Sequence, residues 1–400
     1  MSTQLLSRLA REMSPDALAY LPIFGADSGY HTAGDVLVNE TADGVNLNTI
    51  WAEFQAMLAT WNAERSALAS LLTFPTTLTA DAVPQSLSNS SFELASEYGV
   101  PKAARVPSDV LLLGNTFRDY DLASRMTWKF LRDSTSEQVD AIFSDMLAAD
   151  NKLVNTTILK RLFDPRPEIN EYGATCFGLW TGDDGITPPP YLGREFPANT
   201  THYLPSGASV IDSQDVEAGI RAVTLKGYGR QVGSQLLLLV NPVEGEQVAT
   251  WRAGEESRPK EGAEASGPIA KHDFIPSAGA PAYLLPDNVI GEVAPKEFGG
   301  LPVSGSYGPV WVIESEFVPV GYAAVVATSG ANASGNVIAV RSHKNTAYQG
   351  LRLIPGNQQR YPLIESFGSR GFGVGVRHRG AAHVTQITTA STYTPPSFNW

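Results

Sequence analysis

The pattern of apolar and polar positions predicts one unusually long helix in the first half of the chain. Apolar residues recur at three- and four-residue spacing from Ser134 to Phe163, which is the period of an amphipathic helix. Ser134 and Glu137 have the spacing of a capping box, and Asp164-Pro165 ends the run. A helix of this length would form a rod of about 45 Å. Because the apolar stripe is not a strict heptad, the rod is better suited to bracing an extended domain than to a coiled coil.

The region before this rod predicts a helix followed by an extended excursion. Apolar positions from Asn48 to Leu72 have helical spacing, and Phe74-Pro75 ends the pattern. Residues 85–132 are interrupted by glycine and proline, which predicts a long irregular loop with some strand pairing around Val110–Leu113. Long loops of this kind tend to be functional or intermolecular.

Residues 170–335 have the pattern of a compact α+β region. Asp212 or Ser213 can cap a helix, and Leu236–Val240 is an apolar run typical of a fully buried strand. Runs bounded by Gly, Pro or Asn predict further strands at 310–313, 321–328 and 336–341.

Phe372–His378 alternates between apolar residues on one face and glycine or arginine on the other, which predicts a strand. Its glycines, together with Gly368, superficially suggest a phosphate-binding loop. Such a loop leads from a strand into a helix N-terminus, whereas these glycines alternate within a strand pattern. We therefore expect them to allow close packing of the backbone against a neighbouring segment.

Basic residues cluster next to this strand at Arg377, His378, Arg379 and His383. One interpretation places them at the surface on an edge strand. The other is a contact to an acidic neighbouring chain. Lys102 and Arg105 lie between glycine and proline breaks in the predicted loop.

Composition narrows the possible functions. The chain has 400 residues, 43% hydrophobic and 18% charged, which excludes a disordered protein. The net charge of −12, from 41 acidic and 29 basic residues, disfavours tight, charge-driven binding to nucleic acid. The low share of charged residues also suggests that part of the protein surface is buried against partners. The longest aliphatic run, Leu236–Val240, is too short to cross a membrane, and no export signal is recognised, which predicts a soluble protein.

Motifs for catalysis, cofactors and metals are absent from the sequence. The single cysteine, Cys176, excludes an intramolecular disulfide and is expected to be a buried apolar residue. There is no Gly-Lys pair for a Walker A loop, no zincin motif and no G-x-S-x-G frame, so no cofactor or metal site is predicted. Acid–base pairs leave no motif, and a soluble acidic α+β hydrolase therefore stays open as an alternative.

Three stretches, 298–327, 336–353 and 367–388, resemble a known family. The first carries Gly-Leu-Pro-Val before a strand and a Val-Pro-x-Gly turn before an apolar strand, and the third carries the glycine-rich strand with its basic step. In this order they resemble the major capsid proteins of tailed double-stranded DNA phages, which have the Hong Kong ninety-seven-type fold. The style of the sequence is closest to phages of actinobacteria.

The resemblance implies a non-enzymatic shell protein with an α+β fold. Pentamers and hexamers would close into an icosahedral shell that encloses DNA without sequence-specific binding. It further implies assembly in the host cytoplasm, a place in the virion, and as partners a separate scaffolding protein, a portal and a possible decoration protein. The implied regions are an N-terminal arm (1–85), an extended loop (86–132), a peripheral domain spine helix (133–169), an axial domain (170–335), and peripheral domain strands with a C-terminal tail (336–400).

The resemblance also implies where copies would touch. The candidate inter-subunit contacts are Lys102, Arg105, Arg377 and Arg379. Some family members cross-link subunits through a lysine in the loop and a nearby glutamate. Lys102 stands in that loop, but Glu365 does not align with the glutamate, so cross-linking is not expected. An encapsulin-like nanocompartment, which shares the fold, is the structural alternative.

Overall fold

The structure, a computed structural model, describes residues 40–63, 66–84, 94, 99, 110–258, 267–279, 293–355 and 365–398. The chain divides into two units. The smaller unit comprises Met1–Met57, Leu122–Asp145 and Leu353–Gly368, and the larger unit comprises Leu58–Asp121, Met146–Arg352 and Ser369–Trp400.

A seven-stranded sheet forms the centre of the larger unit. Its central strand, β8 (Gln235–Val240), pairs in parallel with β13 (Val310–Glu314) and antiparallel with β14 (Tyr322–Thr328). Leu236 to Val240 are all at most 2% exposed, which confirms the predicted buried strand. From edge to edge, the remaining strands are β7 (Tyr203–Pro205), β18 (Ala382–Gln386), β12 (Gly305–Tyr307) and β9 (Phe274–Pro276).

Two helices cover this sheet. α5 (Ser213–Thr224) packs on β14 and β18, and α6 (Pro242–Ala249) packs on β8, β9 and β13. Asp212 caps α5 and exchanges hydrogen bonds with Asp215, as the sequence predicted for the cap. Asn241 caps α6 directly before Pro242, whose fixed φ suits the first helical turn.

The second sheet has the order β1 (Thr73–Thr76), β15 (Ile338–Ser342), β17 (Glu365–Val376) and β16 (Leu351–Ile354), and β4 (Arg118–Arg125) also pairs with β17. β1 lies parallel to β15, with Phe74 opposite Ala339, and β15 lies antiparallel to β17, with Val340 opposite Val374. Two short hairpins lie outside these sheets: β5 (Glu168–Ile169) with β6 (Thr175–Cys176), and β10 (Glu297–Phe298) with β11 (Leu301–Pro302). A 3₁₀ turn spans Thr346–Tyr348.

The first predicted helix is divided in two. α1 (Leu47–Ala63) and α2 (Ala67–Leu72) replace the single helix expected over Asn48–Leu72. Ser66, at the start of α2, has φ −49° and ψ 131°, an extended conformation that interrupts the helical backbone. The pattern detected the apolar face but not this break.

The long helix is confirmed as α4 (Ser136–Phe163), which has 28 residues. The capping box predicted for it is wrong. Ser134 instead ends the preceding helix, α3 (Trp128–Asp133), because its amide donates to Phe130 O.

The start of α4 is capped from elsewhere in the smaller unit. The carboxylate of Asp43 accepts hydrogen bonds from the Ser136 amide at 3.0 Å and the Ser136 hydroxyl at 2.6 Å. The hydrogen bond from the Ser136 side chain lowers the pKa of Asp43 to about 2. Gln138 Oε1 accepts from the amide of Thr135. Asp43, 93 positions from Ser136, thus caps the helix in place of the predicted local pair of Ser134 and Glu137.

The smaller unit has a small core of its own. The rings of Phe54 and Phe143 stack with centroids 4.0 Å apart. The Ala42 amide donates to Ser134 O, and the hydroxyls of Ser124 and Ser366 lie 2.9 Å apart. The other buried apolar residues of the unit include Leu47, Ile50, Met126, Leu131 and Val139.

Cys176 is fully buried, as predicted, and burial raises the pKa of its thiol to about 11. None of the helices that the structure describes has the length and apolar character required to cross a bilayer.

Candidate intersubunit surface

A two-stranded hairpin stands at the root of the predicted extended loop. β2 (Ala80–Pro84) pairs antiparallel with β3 (Val110–Gly114), with Ala82 opposite Leu112 and Pro84 opposite Val110. We call these two strands the loop-root hairpin. The loop between them carries Lys102 and Arg105, which both lie outside the described residues.

One face of the loop-root hairpin is apolar and open. Val110 is 50% exposed and Leu112 is 58% exposed, and Ala82 and Pro84 on the same face are also exposed. Leu78, just before the hairpin, is 53% exposed. These apolar side chains are neighbours on one face and bury little of their surface in the isolated chain. An exposed apolar patch of this kind is typical of a surface that a partner covers.

The opposite face of the hairpin is held by the larger unit. Asp81 is buried and forms an ion pair with Arg377, with Nη1 and Oδ1 3.0 Å apart. Leu113 is 2% exposed. Asp81 is the buried member of this pair, and removing Arg377 would leave its carboxylate without compensation, so the contact fixes the hairpin in place.

The segment that follows the hairpin is held by hydrogen bonds to the backbone of neighbouring segments. The Asn115 amide donates to Thr79 O at 2.9 Å, and its side-chain amide donates to Leu78 O at 3.1 Å. Three hydrogen bonds join Thr116 and Val374: the amide and the hydroxyl of Thr116 both donate to Val374 O, and Thr116 Oγ1 accepts from the Val374 amide. These contacts join the root of the loop to β17.

The glycines of β17 make this close approach possible. A Cβ on Gly373 would lie 1.6 Å from Thr116 O, and one on Gly375 would lie 2.0 Å from Asn115 Oδ1. No side chain fits at such distances. The prediction of close backbone packing is confirmed for Gly373 and Gly375, whose neighbour is the segment after the loop-root hairpin, whereas a Cβ on Gly371 would chiefly meet the side chain of Asp119.

Two polar residues support the same segment and were not found from the sequence. Asn170 Nδ2 donates to Thr79 O at 2.9 Å and to Asn115 O at 3.1 Å. Arg341 Nη1 donates to Asn115 O and pairs with Glu171 at 2.6 Å. Their partners are backbone carbonyls distant in sequence, and such contacts have no spacing to recognise.

The basic cluster does not lie on an edge strand, and that interpretation is wrong. β17 lies between β15 and β16, and β18 lies between β7 and β14. Arg379 is 3% exposed; its Nε donates to Gly178 O, its Nη2 pairs with Asp184 at 2.5 Å, and its guanidinium lies 4.1 Å from the centre of the Trp180 ring. Asp184 thus compensates the charge of Arg379 within its own chain.

His383 is also buried, beside His202. The two ring centroids are 5.9 Å apart, and His202 Nδ1 donates to Ala382 O. Burial, and secondarily the charge of Lys226, lowers the pKa of His383 to about 4. The same two causes hold the pKa of His202 well below its ordinary value. Both imidazoles are therefore neutral parts of the core rather than surface cations.

Comparison with known proteins identifies the family. No protein-family model and no curated protein matches the chain. A solved chain from Mycobacterium phage Patience is 37% identical, covers 94% of this chain and 97% of that one, and superposes with a TM-score of 0.66.

Two more distant structures are similar over a large share of the chain. The capsid of an empty GTA particle is 12% identical, with 81% of this chain and 91% of that chain covered and a TM-score of 0.42. The SrpI encapsulin of Synechococcus elongatus is 10% identical, with 86% and 98% covered and a TM-score of 0.40. At these values the assignment rests on the phage relative.

The chain belongs to the major capsid proteins of tailed phages, the proteins of Hong Kong ninety-seven-type fold that form an icosahedral shell. Within them its similarity is to a phage of Mycobacterium, so the prediction of an actinobacterial phage is confirmed. Many copies of the chain make up the capsid of a virion. The predicted α+β fold class and capsid function are confirmed as well.

Proposed function

We propose that this chain assembles as pentamers and hexamers, and that the resulting shell encloses double-stranded DNA without sequence-specific contacts. The net charge of −12 supports the second part. A strongly basic lining would hold the genome by its phosphates, whereas an acidic shell confines DNA without binding it.

We assign the regions of the chain as the family resemblance implies. Residues 1–85 form the N-terminal arm and 86–132 the extended loop. Residues 133–169 contain the spine helix, which corresponds to α4, and 170–335 form the axial domain. Residues 336–400 supply the strands of the peripheral domain and the C-terminal tail.

The observation that supports this proposal best is that the loop-root hairpin has one buried face and one exposed apolar face. A two-stranded hairpin is at best marginally stable by itself, and this one buries only one face against its own chain. Val110 and Leu112 on the other face need a neighbour to remove them from water. We propose that this neighbour is a second copy, with Lys102, Arg105 and the partly exposed Arg377 contributing contacts around the loop.

The role we propose is structural rather than enzymatic. Membership of the capsid family, and not a missing motif, speaks against the hydrolase alternative. The partners we propose are a separate scaffolding protein, a portal and a possible decoration protein, with assembly in the host cytoplasm.

Negative-stain microscopy of the protein, expressed with and without its scaffolding partner, tests the assembly. We expect closed particles of megadalton size with pentameric and hexameric clusters of subunits. If only particles of fewer than about ten subunits form under both conditions, the proposal is wrong.

The contents of mature particles separate the phage shell from the encapsulin-like alternative. Particles purified from phage-infected cells are treated with nuclease and then opened. Protected double-stranded DNA is the expected result. Protected protein cargo with no DNA would favour the nanocompartment.

A further inference from the structure

A cavity of about 120 Å³ lies within the larger unit, behind the loop-root hairpin. Val83 and Leu111 of the hairpin form one wall, and Lys226 and Tyr228, just after α5, form another. The space exceeds the roughly 10–15 Å³ that one ordered water needs, so it is large enough for a small polar group. Several lining residues are partly exposed, so the cavity communicates with solvent.

The charges around this cavity do not balance. Arg377 and Arg379 line it, and each has an acidic partner, Asp81 and Asp184 respectively. Lys226 also lines it but forms no ion pair with any described residue; its Nζ lies 4.5 Å from the centre of the Phe196 ring.

Two of the lining residues, Lys226 and Arg379, carry a donor that forms no hydrogen bond with the described residues. Burial lowers the pKa of Lys226 to about 8, with no carboxylate to oppose the shift. Arg379 Nη1 is buried and has no hydrogen-bond partner among the described residues. A buried donor without a partner is unfavourable, so a ligand group that accepts hydrogen bonds from Lys226 and Arg379 would be stabilised in the cavity.

Glycines keep the space open. A Cβ on Gly380 would lie 2.8 Å from Lys226 Cδ, and a Cβ on Gly227, which has φ +90°, would lie 2.5 Å from the ring of Tyr191. Side chains at these two positions would displace Lys226 and Tyr191 from the cavity wall.

We propose that this cavity binds a single carboxylate group, with Lys226 as the charged anchor and Arg379 as a second donor. One uncompensated positive charge matches a monoanion better than a phosphate. The walls of Trp180, Tyr191 and Pro189 exclude part of the bulk water, and an ion pair gains strength where the local dielectric constant is lower.

The carboxylate can come from two sources. In a shell it is an acidic side chain of a second copy, and this source rests on the proposed function. The chain has 41 acidic residues, so each copy presents many such groups to its neighbours. Otherwise the source is a free carboxylate in solution, which depends on no assembly.

Limited reductive methylation of the full-length, unassembled protein tests the cavity directly. Labelling of each lysine is measured by peptide mass spectrometry in increasing acetate, with chloride adjusted to constant ionic strength. Acetate at ten times its dissociation constant should reduce Lys226 labelling by about tenfold. The control is Lys271, an exposed lysine already paired with Glu217, whose labelling should not change. Equal labelling of Lys226 with and without acetate, or equal protection of Lys271, would overturn the proposal.

A variant and an assembled sample complete the experiment. Lys226→Gln should abolish the rise in melting temperature that acetate gives the wild type, while Lys271→Gln should keep it; a rise that persists in Lys226→Gln counts against the site. Once acetate has protected Lys226 in free subunits, protection in acetate-free shells assigns the source to a second copy, and full labelling there assigns it to solution. If no shells form, the proposed function fails while the acetate result stands.

Discussion

The seven-stranded sheet and the loop-root hairpin, both in the larger unit, differ in strand pairing and in how far a single copy buries their side chains. β8 has a neighbour on each side and five consecutive residues at most 2% exposed. The hairpin has two strands, one anchored face and one open face on which Leu112 is 58% exposed. One copy therefore forms the core of the sheet by itself, whereas we propose that a second copy covers the open face of the hairpin.

The two regions also differ in the type of contact that fixes them. Apolar packing dominates the sheet, where each buried leucine is worth about 1.5–3 kcal/mol. Polar contacts position the hairpin, and each hydrogen bond of the Asn115 and Thr116 network contributes about 1 kcal/mol. Substitutions in the sheet should thus act on folding, and substitutions on the open hairpin face should act on assembly.

Leu238→Ala should have the largest effect on the stability of the subunit. Leu238 is 0% exposed in the central strand, and truncating a buried leucine leaves a cavity that costs about 2–5 kcal/mol. Urea denaturation of the unassembled protein measures the loss. The matched control, Leu192→Ala, removes a leucine that is 86% exposed and should change the free energy of unfolding by less than about 0.5 kcal/mol. Similar losses in both variants would contradict the description of the sheet as the core.

This contrast also explains what the sequence could predict. β8 and the Asp212 cap were found because their signals are local: an apolar run in one case, a capping residue three positions from its partner in the other. The anchoring of the hairpin was not found, because Asn170 and Arg341 act on backbone carbonyls at distances of 55 to 226 positions along the chain.

The errors have the same physical origin. One of the two interpretations of the sequence placed Arg379 at the surface of an edge strand, but Asp184, 195 positions away, compensates its burial. Ser134 matched the pattern of a capping box, but it ends the short helix α3, and the distant Asp43 caps α4 instead. Only the positions where a local pattern and the tertiary contacts agree were predicted correctly.

Acid should destabilise the sheet through its buried histidines. The pKa of His383 is about 4 in the folded protein, against an ordinary value of 6.5, so below pH 6.5 the unfolded chain binds the extra proton. Stability should be unaffected above pH 6.5 and should fall between pH 6.5 and about 4, by about 3 kcal/mol for His383 alone. Lys226 and Arg379, which both face the His202–His383 pair with positive charge, act in the same direction.

Denaturation curves across this pH range for the wild type and His383→Leu isolate the effect from carboxylate titration. The variant should lose less stability on acidification than the wild type. His343→Gln, at an exposed position, should follow the wild-type profile. Identical pH profiles for the wild type and His383→Leu would rule out this contribution.

Gly373→Ala should loosen the anchored face of the hairpin. Its Cβ would overlap Thr116 O, a backbone atom that has no room to move without breaking the contacts to Val374. We expect a loss of about 1–3 kcal/mol and faster hydrogen exchange at Thr116 and Val374. Gly371→Ala is the matched control, because its Cβ would chiefly meet the movable carboxylate of Asp119. A tolerated Gly373→Ala with unchanged exchange would mean that the close approach does not hold the loop root.

Leu112→Ser should have the smallest effect on the subunit and a clear effect on the shell. Because Leu112 already faces solvent, the free energy of unfolding should change by less than about 0.5 kcal/mol. In a shell, the substitution removes about 1 kcal/mol of apolar burial from each contact between the open hairpin face and another copy. This raises the protein concentration needed for assembly by about fivefold. Leu113→Ser, one residue along on the buried face, should instead unfold the subunit at lower urea. Light scattering against protein concentration measures assembly; an unchanged threshold for Leu112→Ser would show that the open face is not covered by another copy.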